Sequence, residues 1–195
     1  MPVDSTLNCS SHRDLFFSIE GIRWELATGG TGLSGCVRRI SDYSARNAGP
    51  ANEAFISGDT PLKSGIHAWR VKVDGLGSEG SDSVLGIVQA GRSLSSDSYE
   101  DLTLYAVDTL KQGYRRTAGK HTQDSGLGTI RNGDKVDFVL DIDNRTLTAI
   151  TLNDGKRCVF NLPEIPSGWV PHFHLYTVGN QVSIELISPE EAGKL

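Results

Sequence analysis

Long apolar runs are missing from this chain. No segment nears the roughly 18 apolar residues that a membrane-spanning helix needs, so no membrane partner is expected. The first fourteen residues, MPVDSTLNCSSHRD, are polar and aperiodic and hold no apolar core of the kind a secretory signal carries. A surplus of positive charge is missing too. Lys and Arg number 19 against 24 Asp and Glu, a formal net charge of −5, whereas a nucleic-acid surface is ordinarily basic. No nucleic-acid partner is therefore expected. Cysteine is scarce and odd in number: Cys9, Cys36 and Cys158 lie far apart with no CxxC pair. Reduced thiols are the simplest reading, which points to an intracellular protein, cytoplasmic or nuclear. Without secretion, the sequons at Asn8 and Asn144 carry no meaning.

Signatures of chemistry are equally thin. No GxSxG elbow, HExxH pair or P-loop occurs. Two stretches match GxGxxG, at Gly30 to Gly35 and Gly75 to Gly80, but strand-like segments follow both. The dinucleotide fingerprint works only where its last glycine opens a helix facing the pyrophosphate. His172 and His174 lie two apart on one strand face, as two metal ligands would, yet no third ligand is placed beside them. Asp141-Ile142-Asp143-Asn144 hints at a calcium loop. However, Arg145 stands where a ligand belongs and Thr146 where the loop needs glycine, so a hairpin turn is the better reading. No catalytic residue, metal or cofactor is expected. Carboxylates are plentiful, and spacing alone does not exclude an acid pair of the glycosidase type.

What the chain does have is turns and alternation. Glycine numbers 22 against a single Met, and no amphipathic helix or internal repeat is visible. Within Pro61 to Asp74, Trp69, Val71 and Val73 share one side of an extended segment while Arg70 and Lys72 take the other, the period-2 mark of a half-buried strand. Asn132 to Pro163 reads as a three-stranded meander turning at Asp143-Asn144-Arg145 and Asn153-Asp154-Gly155. Further strands are expected in the runs beginning at Leu15 and Ile22, at Cys36 to Ile40, Ala54 to Ile56, Val84 to Val88, Leu104 to Asp108, Val170 to Leu175 and Val182 to Leu186. Asp42 to Gly58 reads as a long loop re-entering at Ala54, and 109 to 128 as polar loop. Many short strands with frequent turns predict an all-β fold, an antiparallel sandwich of two sheets. The domain should span 15–188, with a flexible lead-in over 1–14 and a tail over 189–195.

Polar loops of 10 to 20 residues exceed what connections require, and on a rigid sandwich such loops commonly hold the recognition site. Tyr43, Tyr99 and Tyr176 offer large contact area there with few rotors.

At Ser64-Gly65-Ile66-His67-Ala68-Trp69-Arg70-Val71 the chain resembles the SPRY domain, whose early core strand carries SG-x-H-x-W-x-V. The likeness continues in order through Val84-Leu85-Gly86-Ile87-Val88 and Gly133-Asp134-Lys135-Val136 to Asp143. It runs on through Thr146 to Gly155, Phe160-Asn161-Leu162-Pro163 and Val170-Pro171-His172-Phe173, and ends at Gly179-Asn180-Gln181-Val182. It covers about residues 55 to 187. Ala149-Ile150-Thr151 stands where the family has an aromatic and runs about one residue long, which predicts a bulge.

The resemblance implies a bent, concanavalin-like sandwich that binds a peptide or protein partner without catalysis, as in ubiquitin-ligase or signalling adaptors. By position it is partly similar to the SOCS-box SPRY group, whose pocket maps here onto three segments. These are the loop of Asn47 to Asn52 (with Arg46, Pro50 and Ala51), Tyr99, and Tyr176-Thr177-Val178-Gly179. The pocket tryptophan of that group is absent, with Thr177 nearby. Arg46 or Arg92 would add a charge contact to an acidic ligand. The chain is expected to be a monomer. Two other readings stay open, a lectin-like sandwich that binds carbohydrate and a sandwich-fold glycoside hydrolase. The first would want an exposed Trp platform, while Trp24, Trp69 and Trp169 fall in or beside strands.

Overall fold

The computed structural model describes residues 17–19, 22–27, 37–41, 44–49, 54–58, 60–76, 83–92, 102–109, 115–122 and 125–194. Among them there is no helix, and the strands form two antiparallel sheets. The eight-stranded sheet has the order β1 (Phe17–Ile19), β2 (Ile22–Ala27), β5 (Ala54–Gly58), β14 (Trp169–Leu175), β7 (Ser83–Gln89), β8 (Tyr105–Asp108), β9 (Arg115–Thr117), β10 (Lys120–Thr122). The seven-stranded sheet has the order β13 (Arg157–Asn161), β12 (Thr146–Thr151), β11 (Lys135–Asp141), β6 (Ile66–Asp74), β15 (Gln181–Leu186), β4 (Ser44–Asn47), β3 (Val37–Ser41).

Alternation along the strands builds the core. β6 sends Trp69, Val71 and Val73 inward, and β11 answers with Val136, Phe138 and Leu140 at paired register. Trp69 and Phe138, directly opposite, stack at 5.6 Å between ring centroids. From the eight-stranded sheet come Leu85, Ile87, Val107, Phe173 and Leu175, with Tyr105 set edge-on to Trp169 at 5.5 Å. Each such side chain, fully removed from water, contributes about 1.5–3 kcal/mol. Gly86 is needed because β8 comes close: a Cβ there would sit 2.1 Å from the Tyr105 carbonyl oxygen.

In three places the strands depart from the sequence reading. Ser44–Asn47, expected within a loop, is strand β4, paired with β15 and β3. Residues 115–122, read as polar loop, form the β9–β10 hairpin; Arg116 there is buried by an ion pair with Asp108 at 2.8 Å. The bulge expected at Ala149 to Thr151 does not occur, since β12 keeps unbroken register with both neighbours; the register shift falls instead between Arg39 and Ser41. Asp137, on the polar side of β11, has no solvent exposure and pairs with Arg70 at 2.7 Å. Gly193, in the segment expected to be a tail, donates its amide to that same Asp137 at 2.8 Å.

Candidate functional site

At one end of the sandwich, β6 finishes at Asp74, β14 finishes at Leu175, and β4 runs out into the loop that follows it. Asn47 binds these together. Its amide donates to the Asn180 carbonyl at 2.9 Å, and its own carbonyl accepts from the Gly179 amide at 2.7 Å. Its side chain, fully buried, donates Nδ2 to the Leu175 carbonyl at 3.1 Å and accepts from the Gly49 amide at 3.0 Å. Asn180, also fully buried, donates Nδ2 to Ser83 Oγ at 2.9 Å. Ser83 and Thr109 close the chain of bonds: Ser83 N donates to Thr109 Oγ1 at 2.8 Å and Thr109 N to the Ser83 carbonyl at 2.9 Å. Buried polar groups satisfied in this way fix the backbone around them.

What this frame holds up is the 176–179 loop. Val178 stands on it 46 % exposed. Its two methyls rest against Gly49, where a Cβ would approach them at 3.3 Å. Tyr176, half-buried, stacks on the buried His174 ring at 4.8 Å. Thr177 and Gly179 are half-buried, as is Arg46, which pairs with Gln181 in β15. Gly75, at φ +71, lies so near that a Cβ would fall 2.0 Å from the Gly179 oxygen.

The structure therefore brings Arg46, Asn47, Tyr176, Thr177, Val178 and Gly179 to one end. Asn47 is turned inward and serves to hold the site, because both polar atoms of its side chain are engaged inside. Pro50, Ala51, Asn52 and Tyr99 lie outside the described residues, as does Tyr43. Arg92 follows the opposite end of β7, two residues past Ala90, whose amide donates to the Gly168 carbonyl at 3.0 Å. Asn180, Ser83 and Thr109 escaped the sequence reading. An Asn directly before an apolar strand is the one local signal that could have marked Asn180.

Other candidates resolve differently. His172 and His174 are both fully buried in β14. The His174 ring is held well below the ordinary histidine pKa, first by burial and then by the charges of His172 and Arg116. Among the described residues no three His, Cys, Asp or Glu side chains converge as a metal site would need. Asp141 spends its carboxylate on the turn, accepting from Asn144 N and Nδ2, each at 2.9 Å. A polar cleft of about 410 Å³ opens at the far end among Lys63, Asp143, Arg145, Glu164, Pro166 and Trp169.

No protein-family model and no curated protein sequence matches the chain. Solved structures do match it in shape. The SPRY domain of human HERC1 superposes with a TM-score of 0.63 at 16% identity, over 78% of this chain and 94% of that one. A human SPRY domain gives 0.58 at 16% identity, over 78% and 96%. The chain has the SPRY fold. The TRIM65 PSpry domain agrees, with a TM-score of 0.57 at 12% identity over 78% of this chain and 85% of that one. In this SPRY fold the 176–179 loop links β14 of one sheet to β15 of the other, so the site straddles the two layers.

Proposed function

We propose that the chain is a non-catalytic interaction module that docks a peptide or protein partner on the end bearing Tyr176 and Val178. The observation that carries this reading is an exposed apolar side chain on a loop whose backbone is already fixed. A pre-ordered anchor loses little conformational entropy on binding, and an aromatic beside an aliphatic side chain is the usual make-up of such an anchor. Main-chain groups of the loop would bond a partner's main chain, and Arg46 would meet an acidic group on it. The SPRY fold supports the same reading, as does the resemblance that places Pro50 to Asn52 and Tyr99 in the contact. We read the chain as a monomeric, intracellular recognition part of a larger adaptor, of the ubiquitin-ligase or signalling kind.

The rivals find less support. Trp69 and Trp169 are buried in the core, so neither offers a platform to a sugar. The buried acids Asp108 and Asp137 are each ion-paired to an arginine rather than to one another. Capture of partners from a cell extract, identified by mass spectrometry and run beside a glycan array, tests the proposal. Protein partners lost on Val178→Asp support it. Glycan binding with no protein captured overturns it.

A further inference from the structure

Residues 187–194 leave β15 and fold back over the outer face of the seven-stranded sheet, away from the end that carries Val178. The Ile187 amide donates to the Ala68 carbonyl at 3.3 Å. Farther on, Gly193 N donates to Asp137 Oδ2 at 2.8 Å, and Arg70 Nη2 donates to the Lys194 carbonyl at 3.0 Å. Arg70 and Asp137 are themselves joined by two bonds, at 2.7 and 2.9 Å. The pair thus offers one acceptor and one donor to the main chain of two successive residues, and the strap takes both.

One turn aims the strap. Ser188 N donates to Glu191 Oε2 at 2.8 Å, the Glu191 amide returns to the Ser188 carbonyl at 3.0 Å, and Lys194 N follows to the Glu191 carbonyl at 3.1 Å. This is one half of the Ser-x-x-Glu arrangement that caps a helical turn, the Glu191 carboxylate on the Ser188 amide, with Pro189 at the position where its missing N–H costs nothing. The Glu191 carboxyl is held below its usual range, first by the Ser188 amide and then by the Ser188 hydroxyl. The serine itself is exposed.

We infer that Ser188 is a phosphorylation site, and that a phosphate there unlatches residues 188–194 from the Arg70–Asp137 pair. Ser188-Pro189 is the dipeptide that proline-directed protein kinases accept. In the transfer, Ser188 Oγ bonds to the γ-phosphorus of ATP, the bond to the bridging oxygen breaks, ADP departs, and the hydroxyl proton passes to the kinase. The product carries about −1.5 to −2 charges where the Glu191 carboxylate now accepts from the same residue. Like charges replace a hydrogen bond, with Glu190 adjacent, and the turn that aims Gly193 and Lys194 opens. Release uncovers Asp137 Oδ2 and Arg70 Nη2 together, ready to take the N–H and C=O of another main chain.

The full chain, incubated with a purified proline-directed kinase and Mg-ATP, should gain a phosphoryl group at Ser188 by peptide mapping, and the Ser188→Ala protein should not. Amide hydrogen exchange at Gly193 and Lys194 should then quicken by at least about tenfold while β11 stays protected. In Glu191→Gln, where no carboxylate opposes the phosphate, the change should be smaller. Ser188 left unmodified while other serines react, unchanged exchange at Gly193, or equal release in Glu191→Gln would each overturn the inference.

Discussion

Asn47 and Asn180 meet through the main chain, amide to carbonyl at 2.9 Å, and the two side chains then diverge into opposite halves of one buried network. Asn47 belongs to β4 of the seven-stranded sheet, yet its Nδ2 reaches the carbonyl of Leu175 in the eight-stranded one. Asn180 Nδ2 reaches Ser83 at the start of β7, again in the eight-stranded sheet. Two amides thus clamp the layers together beneath the loop that presents Val178.

Breaking that clamp should be costly. Asn47→Ala removes a donor and an acceptor and leaves the Leu175 carbonyl and the Gly49 amide without them; a loss of about 1–3 kcal/mol is expected. Urea unfolding checks the value, and amide exchange at Gly179 should rise with it.

Surface changes on the loop should separate binding from stability. Val178→Asp, at a half-exposed position, should leave the unfolding midpoint within about 0.5 kcal/mol. It should weaken partner binding by about 1–3 kcal/mol, as should Tyr99→Ala. Calorimetric titration with a captured partner reads both. Affinity unchanged by Val178→Asp would remove this end of the sandwich from the contact.

Gly75→Ala places a methyl against the Gly179 oxygen in a backbone region, φ +71, that alanine avoids. More than about 1 kcal/mol of stability should go, and the 176–179 loop must move. Unlike Val178→Asp, this variant should lose stability and partner affinity together, seen by thermal melting beside the binding titration.

Asp137→Ala strands Arg70, whose side chain is 16% exposed against 0% for its partner. The cost should be about 3 kcal/mol, the low end for a broken buried pair, because Arg70 keeps some access to water. Chemical denaturation measures it, and protection of Gly193 should fall in the same protein.

His174 sets a pH dependence. Its pKa is lowered in the folded protein, mainly by burial, so below about pH 6.5 the unfolded chain takes up a proton that the folded chain refuses. The stability it contributes is full above that value and is lost as pH falls toward the folded pKa. NMR of the ring should show no titration of His174 between about pH 6 and 8, and the melting temperature should drop on acidification.

The strands with strict alternation were legible one by one. Trp69, Val71 and Val73, or Val136, Phe138 and Leu140, declare which face is buried whatever lies across from them. β4 and the β9–β10 hairpin were not legible: Ser44-Ala45-Arg46-Asn47 and Arg115-Arg116-Thr117 are polar, and become strands because neighbours supply their bonds and, for Arg116, a buried Asp108. The end loops illustrate the same division. That the segments around Asn47 and Val178 belong to one surface was implied by family resemblance, but that Asn47 faces inward while Val178 faces water was not. Spacing along a chain determines which side of a strand a residue takes, since the backbone alone imposes that period. Which charges find partners, which amides close the gap between sheets, and which apolar side chain is left standing in solvent depend on what packs opposite, and only the assembled sandwich decides them.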